Sequence, residues 1–113
     1  MNLLDSTING IPILTIDAPR LDNASAEDFK LGVTNRFRQG ADPLILDMNR
    51  VIFMDSSGLG ALVGCLKLLF KDPKRLPLCN VAPAVLSLLK LTRMDQVFLV
   101  YPSVQAAVEA LQP

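Results

Sequence analysis

Two hydroxyls and a carboxylate adjoin in Asp55-Ser56-Ser57-Gly58-Leu59-Gly60. The apolar run Val51-Ile52-Phe53-Met54 precedes them, and an apolar helical pattern from Ala61 to Phe70 follows. That order predicts a strand-to-helix turn, beside the positive end of a helix dipole. A serine in that position is placed to carry or lose a phosphate. No other part of the chain concentrates polar chemistry in this way.

Four chemistries fit such a turn to different degrees. Asp and Ser are preferred helix N-caps, so simple capping accounts for the residue types. A hydrolase nucleophile elbow needs Gly-x-Ser-x-Gly and a histidine base, and the chain has neither. With no histidine, Ser-His-Asp and Cys-His catalysis and histidine-ligated metal sites are also excluded. A nucleotide-cradling loop needs Gly-x-x-x-x-Gly-Lys-Ser/Thr, which is missing. The remaining chemistry is phosphoacceptance, in which another protein's kinase activity modifies a hydroxyl at the helix start. From the residues alone, capping and phosphoacceptance both stay open.

The elements that must hold this turn follow from periodicity. Leu3 to Ile8 and Ile11 to Ile16 flank Asn9-Gly10, a strong hairpin signal. Pro12 places the second strand at a sheet edge. Ser25 is expected to cap a helix, with Asp28 three residues on in a capping-box pattern. Phe29, Val33 and Phe37 form its buried stripe, and Gly40 marks its end. Leu44-Ile45-Leu46 reads as a buried central strand. After the Asp55 turn, Leu59, Leu62, Val63, Leu66 and Phe70 make one apolar face. Gly58, Gly60, Ala61 and Gly64 leave room for close packing on the sheet, for a partner's backbone, or for both on different faces. Leu76 to Val81 reads as another edge strand because of Pro77. Pro83 opens a third helix through Val85, Leu88 and Leu89. Val97 to Tyr101 is a last strand, and Ser103 caps a final helix with Val104, Ala107, Val108 and Leu111 on one side. The expected fold is α/β, a single mixed sheet of about five strands packed with about four helices.

The chain has 113 residues, half of them hydrophobic, with 11 basic against 11 acidic side chains. One domain spanning 1–113 is expected, and charge balance argues against nucleic-acid binding. Acidic residues gather in 1–30 and basic ones in 67–93, as solvated faces or as one side of a partner surface. The apolar runs are too short for a membrane span, and no basic leader precedes the first apolar residues. Cys65 and Cys79 lack metal spacing and read as reduced core thiols of a cytoplasmic protein.

Leu44-Ile45-Leu46-Asp47 together with Val51 through Leu62 resembles the STAS domain of bacterial anti-sigma factor antagonists. Supporting similarity extends to Leu21-Asp22-Asn23-Ala24-Ser25-Ala26 and Leu88-Leu89-Lys90-Leu91-Thr92-Arg93-Met94-Asp95. The resemblance implies a non-enzymatic partner-switching protein without a cofactor of its own. In that family the serine directly after the aspartate is phosphorylated by a serine kinase that is also the anti-sigma factor. That serine is Ser56 here. Asp55 matches the flanking aspartate, and Ser57 matches a Ser/Thr position that is not the usual acceptor. Asp22 matches an aspartate near the acceptor and the partner. The partner surface is expected to include Asp22, Asn23, Asp55, Ser57, Gly58, Leu59 and Gly60. The implied partners are the kinase/anti-sigma factor and a phosphatase acting on phospho-Ser56, with a monomer when free. The other implied role is a non-switching STAS subunit of a transport or signalling assembly. Two departures stand out: Pro19-Arg20 replaces a frequent Gly-Glu before Leu21-Asp22, and Asp72-Pro73-Lys74-Arg75 replaces a frequent glycine pair.

Overall fold

The computed structural model describes residues 1–112. Asn9 and Gly10 both take positive φ, 52° and 79°, as a two-residue hairpin turn requires. They join β1 (Asn2–Ile8) to β2 (Ile11–Asp17) in full antiparallel register from Asn2↔Asp17 to Ile8↔Ile11. The chain then runs through β3 (Arg20–Leu21), α1 (Ala26–Arg38), β4 (Ile45–Asp47), β5 (Phe53–Met54) and α2 (Ser56–Cys65). It continues through β6 (Leu78–Cys79), α3 (Pro83–Leu91), β7 (Val100–Tyr101) and α4 (Val104–Leu111). The main sheet has the order β1-β2-β4-β6-β7, parallel except for the first pair. β3 and β5 form a separate parallel two-stranded ladder, Arg20↔Phe53 and Leu21↔Met54.

Strand alternation divides the core between the two sheet faces. Leu14, Leu46 and Leu78 pack with Phe29, Val33, Leu62, Val85 and Leu89 on the side of α1, α2 and α3. Ile13, Ile45 and Cys79 pack with Ala107 and Val108 of α4 on the other. No polar or charged side chain is buried among the described residues. The mixed five-strand sheet with four helices agrees with the expected fold class.

Both proline-based edge assignments fail. β2 lies between β1 and β4, and β6 lies between β4 and β7. Pro12 opposes Thr7, one pair beyond the Ile8↔Ile11 pair that closes the turn, and β4 pairs only from Ile13 onward. Its missing N–H thus falls where neither neighbour needs it. Pro77 precedes the first paired residue of β6 and contributes its carbonyl, which accepts from Leu46 N at 2.9 Å. The last strand is also shorter than expected, because Val97 and Phe98 close the 3₁₀ turn of Met94–Gln96, both N–H groups donating to Met94 O at 3.0 Å.

Helix ends follow their cap chemistry with one exception. Gly40, at φ 96°, closes α1 with Gly40 N bonding Phe37 O and Ala41 N bonding Arg36 O, the paired bonds of a Schellman end. Ser103 Oγ accepts from Ala106 N at 3.0 Å and caps α4. Ser25 occupies the cap position of α1, but its side chain makes no capping bond. Its hydroxyl accepts from Asp22 N at 3.0 Å and donates to Arg20 O at 3.2 Å, so it braces the preceding loop instead. Past Cys65 the helix widens into a π turn, Leu66–Phe70, stopped by Lys71 at φ 66°. The turn carries Phe70 to Phe37, with ring centroids 4.8 Å apart in an edge-to-face pair.

Candidate functional site

The site is built where the β3–β5 ladder meets the start of α2. Asp55 has extended backbone and caps α2, its Oδ1 accepting from Gly58 N at 3.0 Å. Its other oxygen, Oδ2, accepts from Asn23 N at 3.2 Å, so one carboxylate ties the helix start to the loop after β3. Asp55 N in turn donates to Leu21 O at 3.4 Å. Gly58 is buried against that same strand: a Cβ built on it would lie 2.0 Å from Leu21 O. Glycine is required there because the opposing atoms are backbone. Gly60 differs, since a Cβ there meets nothing within 4 Å. The two readings of the small residues therefore divide: Gly58 packs inward on β3, and Gly60 leaves an open outer surface.

The two serines have unlike surroundings. Ser57 is half-buried and its Oγ donates to Asn23 Oδ1 at 3.3 Å. Ser56 is exposed, and among the described residues its hydroxyl has no hydrogen-bond partner. It sits at the first position of α2, where unpaired backbone N–H groups and the helix dipole favour an anion. Asn23, Ala26, Glu27 and Lys30 of one wall and Ser57, Gly60 and Ala61 of the other line an open cleft of about 320 Å³ between α1 and α2.

Asp22 belongs to this rim but engages its own loop. Oδ1 accepts from Ala24 N at 3.1 Å and lies 3.3 Å from Ser25 Oγ, an alternative acceptor for that hydroxyl's one proton. Oδ2 accepts from Arg20 Nε at 3.1 Å. The hydrogen bond from the Arg20 guanidinium holds the Asp22 carboxyl below the usual carboxylate range. Arg20 also lies over the Phe53 ring, 4.1 Å from its centroid. Phe53 and its neighbour Ile52 are exposed, the latter to 64%.

The fold thus gathers Asp22, Asn23, Asp55, Ser56, Ser57 and Gly60 on one rim, while Gly58 and Leu59 are buried beneath it. Sequence reasoning missed the Arg20–Phe53 stack and the bridging role of Asn23. The contact from Asn23 to Ser57 spans 34 positions and leaves no local signal. Arg20 and Asp22 stand two apart at the end of a strand, a spacing that does bring side chains to one side. Four of the five acidic residues of 1–30 are paired: Asp5 with Arg36, Asp17 with Arg50, Asp22 with Arg20 and Asp28 with the N-terminal amine. Both cysteines are free and buried, and burial pushes Cys65 up to about 11 and Cys79 to about 12. Among the described residues no cluster of potential ligands could hold a metal ion, and no helix is long and apolar enough to cross a membrane.

Comparison with known proteins gives a consistent placement. The STAS domain profile matches residues 3–107. An anti-sigma F factor antagonist of Paenibacillus polymyxa is 29% identical over 75 residues, covering 66% of this chain and 64% of that protein. The matched region thus spans less than two thirds of that relative's length. An anti-sigma factor antagonist STAS-domain protein from Planctomyces limnophilus superimposes with a TM-score of 0.82 at 25% identity, covering 96% of each chain. The murine anion transporter Slc26a9, in its inward-facing state, contains a similar unit: TM-score 0.73 and 29% identity over 93% of this chain but 18% of the transporter.

Proposed function

The chain belongs to the STAS domain family, and from that premise we propose that it is a phosphorylation-controlled partner switch. Its unphosphorylated form binds a serine kinase that doubles as an anti-sigma-type factor and frees the target which that factor restrains. The kinase transfers the γ-phosphoryl group of ATP to Ser56 Oγ: the bond from phosphorus to the bridging oxygen breaks, ADP leaves, and the hydroxyl proton passes to a base of the kinase. ATP and Mg²⁺ belong to the kinase. A phosphatase removes the phosphate and resets the switch. The protein acts in the cytoplasm as one domain and has no catalytic role itself.

The observation that carries this reading is the contrast between adjacent serines, one exposed and unbonded, the other tied to Asn23. Capping alone does not need the free hydroxyl, because Asp55 already caps α2. The phosphate brings about −1.5 to −2 charges. At the helix start it is favoured by roughly 0.3–1 kcal/mol, while Asp55 opposes it. The fold therefore persists, and the charge acts where a partner would exclude water. A loss of about 3 kcal/mol at such an interface weakens binding roughly a hundredfold.

The similarity to the anion transporter favours a second reading, a STAS binding module that does not switch. Phosphate transfer separates the two. The chain is incubated with candidate serine kinases and ATP, and phosphopeptides are mapped. The switch predicts phosphate on Ser56 and a partner that the wild type retains and Ser56→Asp loses. Phosphate on Ser57 alone, or equal retention by both forms, overturns it.

A further inference from the structure

Arg20 holds Asp22 through Nε alone, and among the described residues its two terminal amino groups have no hydrogen-bond partner. Its guanidinium is fixed over Phe53, three residues before Ser56. Because Arg20 pairs with Phe53 in the β3–β5 ladder, its backbone stands one strand spacing, about 4.8 Å, from the strand that leads into the acceptor turn. The adjoining Leu21 carbonyl is in contact with the first turn of α2 through Asp55 N and Gly58. An arginine with two open donors thus stands on the strand that α2 packs against, opposite Phe53, which lies three positions before the acceptor, a gap that its long side chain and a phosphoryl group can close together.

We propose that Arg20 is the intramolecular receptor for the phosphate on Ser56, exchanging its bond to Asp22 for a bond to the phosphoryl oxygens. This rests on Ser56 being the acceptor. A phosphate offers three oxygens and close to two charges, against one charge on Asp22, and matches the guanidinium fork in a two-bond geometry. Phosphorylation then changes the rim twice. It adds negative charge at Ser56 and withdraws the cation that the unphosphorylated surface presents on the exposed Ile52–Phe53 patch. The charged groups around the phosphate are Asp55 on its own turn, Asp22 and Arg20 from β3 and its loop, and Glu27 and Lys30 from α1. Lys30 stands on the cleft side, within 3.8 Å of the Cβ position of Gly64, two helical turns from the helix start. Arg20 is the cation on the ladder side.

The test uses full-length protein with phosphoserine installed at position 56 by genetic encoding, so it does not depend on any kinase. The Arg20 Nε–Hε resonance is followed with and without Asp22→Asn. In the unphosphorylated protein Asp22→Asn should move that resonance. In the phosphoprotein it should no longer do so, because the phosphate has taken the bond. The second readout is the phosphate pKa by ³¹P titration in the Asp22→Asn background, so that a freed carboxylate cannot imitate the effect. Adding Arg20→Ala should raise that pKa by roughly half a unit or more, and Arg20→Lys should restore part of the shift. An Arg20 resonance still governed by Asp22 in the phosphoprotein, or a phosphate pKa indifferent to Arg20→Ala, overturns the proposal. Failure of Ser56 to accept phosphate from any kinase would overturn the switch reading instead, and is read in the separate mapping experiment.

Discussion

Gly58→Ala and Gly60→Ala form a matched pair that isolates the contact on which the site is built. Both residues lie in α2, and in both an alanine gains helix propensity of up to about 1 kcal/mol. At Gly60 nothing opposes that gain, since the new methyl meets open space. At Gly58 the methyl would lie 2.0 Å from Leu21 O and 2.7 Å from Leu21 C. These are backbone atoms of β3, so no side chain can rotate away. Either α2 or β3 must retreat by more than an ångström. Overpacking of this kind costs about 1–3 kcal/mol. The retreat also stretches the bond from Asp55 N to Leu21 O, already 3.4 Å long, for about a further 1 kcal/mol. Gly60→Ala should therefore stabilise by about 0.5–1 kcal/mol, and Gly58→Ala should destabilise by about 1–3 kcal/mol. The chain has no tryptophan and one tyrosine, so urea unfolding is best followed by far-UV circular dichroism. The midpoints should move in opposite directions with an unchanged slope. A Gly58→Ala protein as stable as Gly60→Ala would refute the claim that α2 rests on the Leu21 backbone.

Three further outcomes are expected. Asp55→Ala removes both the helix cap and the tie to Asn23, and should destabilise by about 1–2 kcal/mol, measured by the same urea titration, whereas Asp55→Asn should keep most of the cap. Ser57→Ala should still accept phosphate on Ser56 while losing about 0.5–1.5 kcal/mol from the bond to Asn23; Ser56→Ala should keep full stability and accept none, as phosphopeptide mapping will show. The buried thiols should resist iodoacetamide at pH 8 until the protein is unfolded. Because burial raises both native thiol pKa values, to about 11 and about 12, their contribution is complete below the ordinary value of 9.0 and is lost as pH rises from there through 11 and 12. A Cys65→Ala/Cys79→Ala double variant should show a shallower loss of stability over that range.

What was legible in the sequence was local or periodic. Asn9-Gly10 identified the hairpin because only a positive-φ turn fits between those strands. Gly40 and Ser103 identified helix ends because their cap bonds are made with residues three to five positions away. The gathering of Asp22, Asn23, Asp55 and Ser56 was readable through the family resemblance, not through spacing. The Pro12 and Pro77 inferences failed because proline excludes only one hydrogen bond, and ladder register decides whether that bond was needed. The run Val51–Met54 predicts the strand that leads into the turn, and β5 lies within it, but its partner β3, two residues long, carries no period, so the ladder between them left no signal. Ser25 looked like a cap because its neighbours fit the pattern, yet the loop offered its hydroxyl the nearer Asp22 and Arg20 groups.

That small ladder shares no strand with the five-stranded sheet. The rim and the scaffold are therefore separate hydrogen-bonded networks, joined through packing and a few loop bonds. Amide exchange in β3 and β5 can open without breaking a bond of the main sheet. Substitutions in the rim are likewise free of the register that holds Leu14, Leu46 and Leu78 together. Residues such as Arg20 and Ile52, exposed at the ladder, can therefore diversify while the scaffold is kept. In this architecture the two short strands can change in sequence while the sheet that holds the core keeps its register.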